Sequence, residues 1–153
     1  MKHFFILLFI IPFVFSQNNN CGVNCTWTLD KTTGLLTIEG NGKIEDYSTE
    51  TGKEKWNNER DSIQTIEIKE GIQSIGNNAF INCTKVTTVS IPKSVYSIGN
   101  YAFIGCLSLQ SINVHQNNNR YLSHKGVLYT ASSDELIVYP PSKPETTYTI
   151  PDD

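Results

Sequence analysis

Apolar residues fall at Ile63, Ile66, Ile68, Ile72, Ile75, Ala79, Phe80 and Cys83, and the same spacing returns 23 positions later. The second set is Val86, Val89, Ile91, Val95, Ile98, Ala102, Phe103 and Cys106. In register, residues 62–84 read SIQTIEIKEGIQSIGNNAFINCT and residues 85–107 read KVTTVSIPKSVYSIGNYAFIGCL. A third unit opens at Ser108 with Leu109, Ile112 and Val114 and leaves the pattern near Asn117. Tyr148, Thr149, Ile150 and Pro151 then mirror Val89, Ser90, Ile91 and Pro92. The third unit, 108–147, thus carries an insertion, and 148–153 starts a further one.

A 23-residue period of this kind predicts a mainly β repeat solenoid. In an extended strand Ile66 and Ile68 point to one side while Thr65 and Glu67 point to the other, so one face feeds a core and one meets solvent. Successive coils stack about 4.8 Å apart. The second short strand of each coil, 72–75 in the first, ends at Gly76-Asn77, residues that tolerate a left-handed turn. Ala79 and Phe80 lie on a short irregular arc, and Phe80 is expected over Phe103.

Flanking segments carry period-two alternation. Trp27, Leu29, Leu36 and Ile38 alternate with Thr28, Thr37 and Glu39 around positions 30–34, which predicts a hairpin with one apolar face. Placed over the first coil, it hides the apolar interior and strand edge that a solenoid end exposes, with Trp27 and Trp56 as plugs. A second hairpin, 127–129 with 136–139, is joined through 130–135 and ends at Pro140-Pro141; it is expected to project from the third coil.

The cores SIGNNAF..C and SIGNYAF..C, the SIP opening and the 23-residue period resemble the BspA-like class of leucine-rich repeats, found in surface proteins of bacteria and parasitic protists. Residues 21–47, with Trp56 downstream, resemble its N-terminal cap segment, taken as 17–61, and residues 117–151 its hairpin-bearing variant repeat. The resemblance implies a secreted or cell-surface adhesion-type protein that contacts an extracellular protein, matrix or another cell.

Composition adds limits. The chain has 153 residues, 39% hydrophobic and 18% charged, with a net charge of −3. Without a basic stripe it lacks the clustered Lys and Arg that nucleic-acid phosphates require. Lys2 and His3 precede an apolar run over positions 4–15, with small Val14 and Ser16 at its end; this reads as a signal peptide over 1–16. The run is shorter than the roughly 20 residues a membrane helix needs. In an oxidising compartment Cys21 and Cys25 are candidates for a small disulfide loop. Cys83 and Cys106, one period apart, read as equivalent buried thiols, with a bridge between coils as the alternative. Together with His115 and His124 they do not supply the close ligand pairs of a zinc site.

No catalytic constellation stands out. A Cys/His hydrolase would need His115 beside Cys83 or Cys106, but His115 falls on the solvent side of its strand. Glu45, Asp46, Glu50, Glu59 and Asp61 form a solvated run around Trp56. Asn24 and Asn82 sit in N-glycosylation patterns. The expected ligand face is the ladder of outward strand residues: Thr65, Thr88 and Ser111; Glu67, Ser90 and Asn113; Lys69, Pro92 and His115. A rival surface combines Ile81, Tyr96, Tyr101 and Ile104 with Tyr121, Tyr129 and Tyr139. The expected function is a non-enzymatic protein-binding module with no cofactor or metal. The alternative is a shortened, soluble family member with little ligand surface, able to self-associate through an open C-terminal coil.

Overall fold

The computed structural model describes residues 19–48, 55–132, 134–145 and 147–149. The apolar run near the N-terminus, Glu50 and the residues after Thr149 lie outside them, so of the further opening only Tyr148 and Thr149 are described, and they form no strand. Strands β1 (Asn20–Gly22), β2 (Cys25–Asp30) and β3 (Leu35–Gly40) form an antiparallel cap. A 3-10 helix, Asn57–Ser62, leads into β4 (Thr65–Ile68). Then follow β5 (Ser74–Ile75), β6 (Thr88–Ile91), β7 (Ser97–Ile98) and β8 (Ser111–Val114). The chain continues through β9 (Tyr121–His124), β10 (Val127–Thr130) and β11 (Leu136–Val138).

The main sheet runs β1-β2-β3-β4-β6-β8, and the step from β3 onward is parallel. Residues one period apart pair directly: Thr65 with Thr88 and Thr88 with Ser111, Ile66 with Val89 and Val89 with Ile112. Parallel pairing follows from the repeat, because each coil returns to its start before the next strand begins. A second, two-stranded sheet pairs β5 with β7, again one period apart. We call residues 62–84 coil 1 and residues 85–107 coil 2.

Between the two sheets the repeat positions close over one core. Ile63, Ile66, Ile72, Phe80 and Cys83 have no exposed surface, nor have Val86, Val89 and Val95. Each such aliphatic side chain stabilises the fold by about 1.5–3 kcal/mol relative to exposure. Phe80 stacks on Phe103 with ring centroids 5.6 Å apart and planes at 13°. On its other face lies Trp56, centroid 5.2 Å away at 16°, so the cap supplies the first ring of the same column. Trp27 and Tyr47 meet Trp56 edge-on at 6.1 and 5.8 Å.

The arcs between coils are also hydrogen bonded. The N–H groups of Asn78, Phe80 and Asn82 donate to the carbonyls of Asn100, Ala102 and Ile104 at 3.0, 2.8 and 2.8 Å. Gly76 and Asn77 are not the left-handed residues expected from the sequence. The positive φ angles fall at Asn78 and Tyr101, one period apart, and at Asn82 and Gly105, likewise. The glycines serve close approach instead: a Cβ on Gly76 would lie 2.1 Å from the Glu45 carbonyl oxygen, and one on Gly99 2.4 Å from the Asn77 nitrogen.

The insertion departs from expectation in two ways. The pairing of β10 with β11 is present, but β9 makes it a three-stranded sheet, through a two-residue turn at Lys125-Gly126 with φ of 49° and 81°. It also does not project. Val127, Leu128 and Tyr129 are buried, and the sheet folds back over the third coil. The Ile112 N–H, which faces away from β6, donates to the Gly126 carbonyl at 2.9 Å, and Ser123 Oγ donates to the Ile112 carbonyl at 2.5 Å. The C-terminal coil expected to be open is therefore covered along the Ile112 edge by the chain's own insertion.

Candidate functional site

The solvent face of β4, β6 and β8 presents side chains in straight columns because the strands pair in exact period. Thr65, Thr88 and Ser111 form one column, Glu67, Ser90 and Asn113 the next. Asn113 and His115 are exposed, as is Lys69, whereas Pro92 in the third column is buried. Lys69 Nζ lies 2.5 Å from Glu67 Oε1, two residues away on the same strand face. Ser111 Oγ donates to Asn113 Oδ1 at 2.8 Å. At the strand ends Glu67, Lys69, Ser90, Lys93, Asn113 and His115 border a shallow groove of about 570 Å³. Ile68, Ile91, Pro92 and Val114 also line it, so apolar surface lies among polar side chains of both charge signs.

The histidines and cysteines are not brought together as a catalytic pair. His115 is exposed and its Nδ1 accepts from the Asn117 N–H at 3.1 Å. His124 is half-buried with its ring against Tyr148, centroids 6.1 Å apart. Cys83 and Cys106 are buried, and neither forms a disulfide. Burial pushes the Cys106 thiol up to about 12, and it donates to the Phe80 carbonyl at 3.2 Å. Cys21 and Cys25 are joined by a disulfide, with Cα atoms 5.3 Å apart, at the tip of the cap. Among the described residues no three His, Cys, Asp or Glu side chains gather as a metal site. Asn24 and Asn82 are both exposed at left-handed turns.

The aromatic surface is divided. Tyr129 is buried, and Tyr121 and Ile81 are half-buried. Tyr101 is 68% exposed and Ile104 50%, with Tyr96, Leu107, Leu136 and Tyr139 also open. Tyr101, Ile104 and Leu136 border a second groove of about 510 Å³ between the coil 2 arc and the insertion.

The family described as BspA type leucine rich repeat region (6 copies) matches residues 43–135, more than half of the sequence. The chain belongs to the BspA-type leucine-rich repeat family. No curated protein matches it. Among solved structures, it is similar to a leucine-rich repeat protein from Eubacterium ventriosum ATCC 27560, with 24% identity and a TM-score of 0.52 over 87% of this chain and 53% of that one. That likeness shows a shared fold, and the chain spans about half the length of that relative. It also matches the pneumococcal vaccine antigen PcpA, at 25% identity and TM-score 0.47 over 58% of this chain and 28% of that. A leucine rich cell surface protein from Faecalibacterium prausnitzii A2-165 matches at 15% identity and TM-score 0.33, over 84% of this chain and 63% of that. Among the described residues no helix is long and apolar enough to cross a membrane.

Within this BspA-type array, the third coil replaces an expected apolar position with a polar one. Asn118, one period after Val95, is buried. Its Nδ2 donates to the carbonyls of Pro92 and Val95, both at 2.8 Å, and its Oδ1 accepts the N–H groups of Arg120 and Tyr121, both at 2.9 Å. Tyr121, at the position of Ile98, offers its hydroxyl to the Ile98 N–H at 2.9 Å. Asn118 was missed from sequence and Tyr121 was read only as part of the aromatic surface; the loss of register near Asn117 is the one signal of these bonds.

Proposed function

We propose that this BspA-type chain is an exported, non-enzymatic binding module that engages an extracellular protein or matrix ligand through the solvent face of β4, β6 and β8. The observation that carries this reading is the in-register alignment of the three columns. It turns short polar side chains into an extended flat surface, a form of site that solenoids use for partners. The basic start and apolar run over positions 4–15 support export. Small side chains there give a partner access to the groove beside Lys69 and His115, and the rim charges of Glu67 and Lys93 orient it.

The test is binding of the secreted chain, residues 17–153, to immobilised extracellular matrix proteins by biolayer interferometry. Ser90→Arg and Asn113→Arg place bulk in the centre of the face. They are expected to weaken a bound ligand by about tenfold or more with unchanged thermal unfolding. Binding that survives both substitutions intact removes this face as the site.

A further inference from the structure

Coil 1 and coil 2 differ in one respect that their sequences do not show. In coil 1 the N–H groups of Asn78, Phe80 and Asn82 all point toward coil 2 and are accepted there. Their equivalents one period on are the N–H groups of Tyr101, Phe103 and Gly105. None of these three has an acceptor among the described residues, because the chain has left the repeat and no carbonyl of β9–β11 is bonded to this arc. Only Ile98, earlier on the same edge, is served, by the Tyr121 hydroxyl. The carbonyls of the intervening peptide units are occupied within the arc, Tyr101 O by the Ile104 N–H at 3.1 Å and Phe103 O by the Cys106 N–H at 3.3 Å. The edge therefore offers donors only. Beside it lies the groove of about 510 Å³, walled by Leu136 and Ile137 and floored by Phe103, the last ring of the aromatic column.

We propose that this edge is a docking site for an apolar, arc-shaped segment of another protein, which presents backbone carbonyls at alternate residues to the N–H groups of Tyr101, Phe103 and Gly105. Its pattern is that of a repeat arc. The carbonyls of Asn100, Ala102 and Ile104 already fill the equivalent row on coil 1, so a segment built like 99–107 continues an interface that the molecule contains once. An ordinary strand fits less well, since its edge alternates donors with acceptors and its N–H groups would find no partner here. A second copy of this chain is disfavoured on the same ground. Two such edges face to face would oppose donors to donors. Head to tail, the acceptor edge of coil 1 is already taken, Asn77 O by the Tyr47 N–H at 2.9 Å and Ala79 O by Trp56 Nε1 at 3.1 Å. This site shares no lining residue with the strand-face groove, so the two readings stand or fall separately.

The probe is a synthetic peptide of residues 99–107 carrying Cys106→Ser and two added lysines for solubility, titrated into the 15N-labelled chain and followed by amide shifts and hydrogen exchange. Saturable binding is expected, with shifts and slowed exchange at Tyr101, Phe103 and Gly105. Ile104→Glu and Leu136→Glu, both at exposed positions, should each weaken it roughly tenfold or more, while Asn113→Arg leaves it unchanged. No saturation, equal binding of a scrambled peptide, or shifts confined to the strand face would each overturn the proposal. So would protection of the three amides by concentration-dependent dimerisation without peptide, since the occupant would then be a second copy.

Discussion

Replacing Phe80 by Ala tests the column that joins cap to coils. Phe80 has no exposed surface and a ring on each side, Trp56 at 5.2 Å and Phe103 at 5.6 Å. Buried Phe→Ala changes cost about 3–5 kcal/mol, and each aromatic contact is worth about 0.5–1.5 kcal/mol beyond its area. With both faces losing a partner, Phe80→Ala belongs at the upper end, about 4–5 kcal/mol. Phe103 has a ring on one face only and retains 7% exposure, so Phe103→Ala belongs near 3 kcal/mol. Because stability in a repeat array is close to a sum over neighbouring units, the first change weakens two interfaces and the second one. Urea unfolding followed by both tryptophan fluorescence and far-UV circular dichroism measures the difference, and Trp56 reports directly on the column. A drop in Tm of about 10–20 °C is expected for Phe80→Ala. Equal costs for the two substitutions, or a cost below about 2 kcal/mol for Phe80→Ala, would refute a continuous aromatic column as the element that couples the cap to the coils.

Asn118→Val restores the apolar residue that the repeat pattern asks for, yet it should destabilise by about 3 kcal/mol or more, because four backbone groups lose their partner; a neutral effect in thermal unfolding contradicts that role. Gly99→Ala puts a Cβ 2.4 Å from the Asn77 nitrogen, and the shift it forces should cost about 1–3 kcal/mol by urea denaturation; no change means that the coils are not held this close. Cys106 should resist a thiol reagent at pH 8 until the chain unfolds, because burial raises its thiol to about 12 and the thiolate is the reacting form; fast labelling of the native protein would show an open arc.

The parts of the fold that depend on period were readable in advance. Ile66, Val89 and Ile112 recur at one spacing because each must enter the same core layer, and Phe80 over Phe103 follows from the same rule. What escaped reading was set by backbone geometry. Gly76 and Gly99 looked like turn residues, but glycine there answers to the distance between neighbouring coils, and Asn78 and Tyr101 take the left-handed angle. Strand β9 was hidden because Tyr121, Leu122, Ser123 and His124 do not alternate cleanly; the Lys125-Gly126 turn was its one signal. The strand-face columns were legible because they follow from register alone, whereas Asn118 and Tyr121 act through bonds to groups one coil away that no local pattern reveals.

A solenoid must dispose of the backbone groups that its missing neighbours would have satisfied, and the two ends of this one do so unequally. At the first coil the cap imitates a preceding coil point by point: Trp56 supplies both a ring for the column and an N–H for Ala79, and Tyr47 supplies an N–H for Asn77. At the far end the insertion covers β8 through Gly126 and Ser123, and Asn118 and Tyr121 serve the second-strand region of coil 2. Closure stops there. The three N–H groups that follow, with the exposed Tyr101 and Ile104 beside them, repeat the donor row that coil 1 presents to coil 2. Leaving polar groups open to water carries little cost, but lining them with large apolar side chains does, since exposed apolar area gains nothing from solvent. The juxtaposition of the two on one edge is therefore the feature that separates this edge from an ordinary solenoid end.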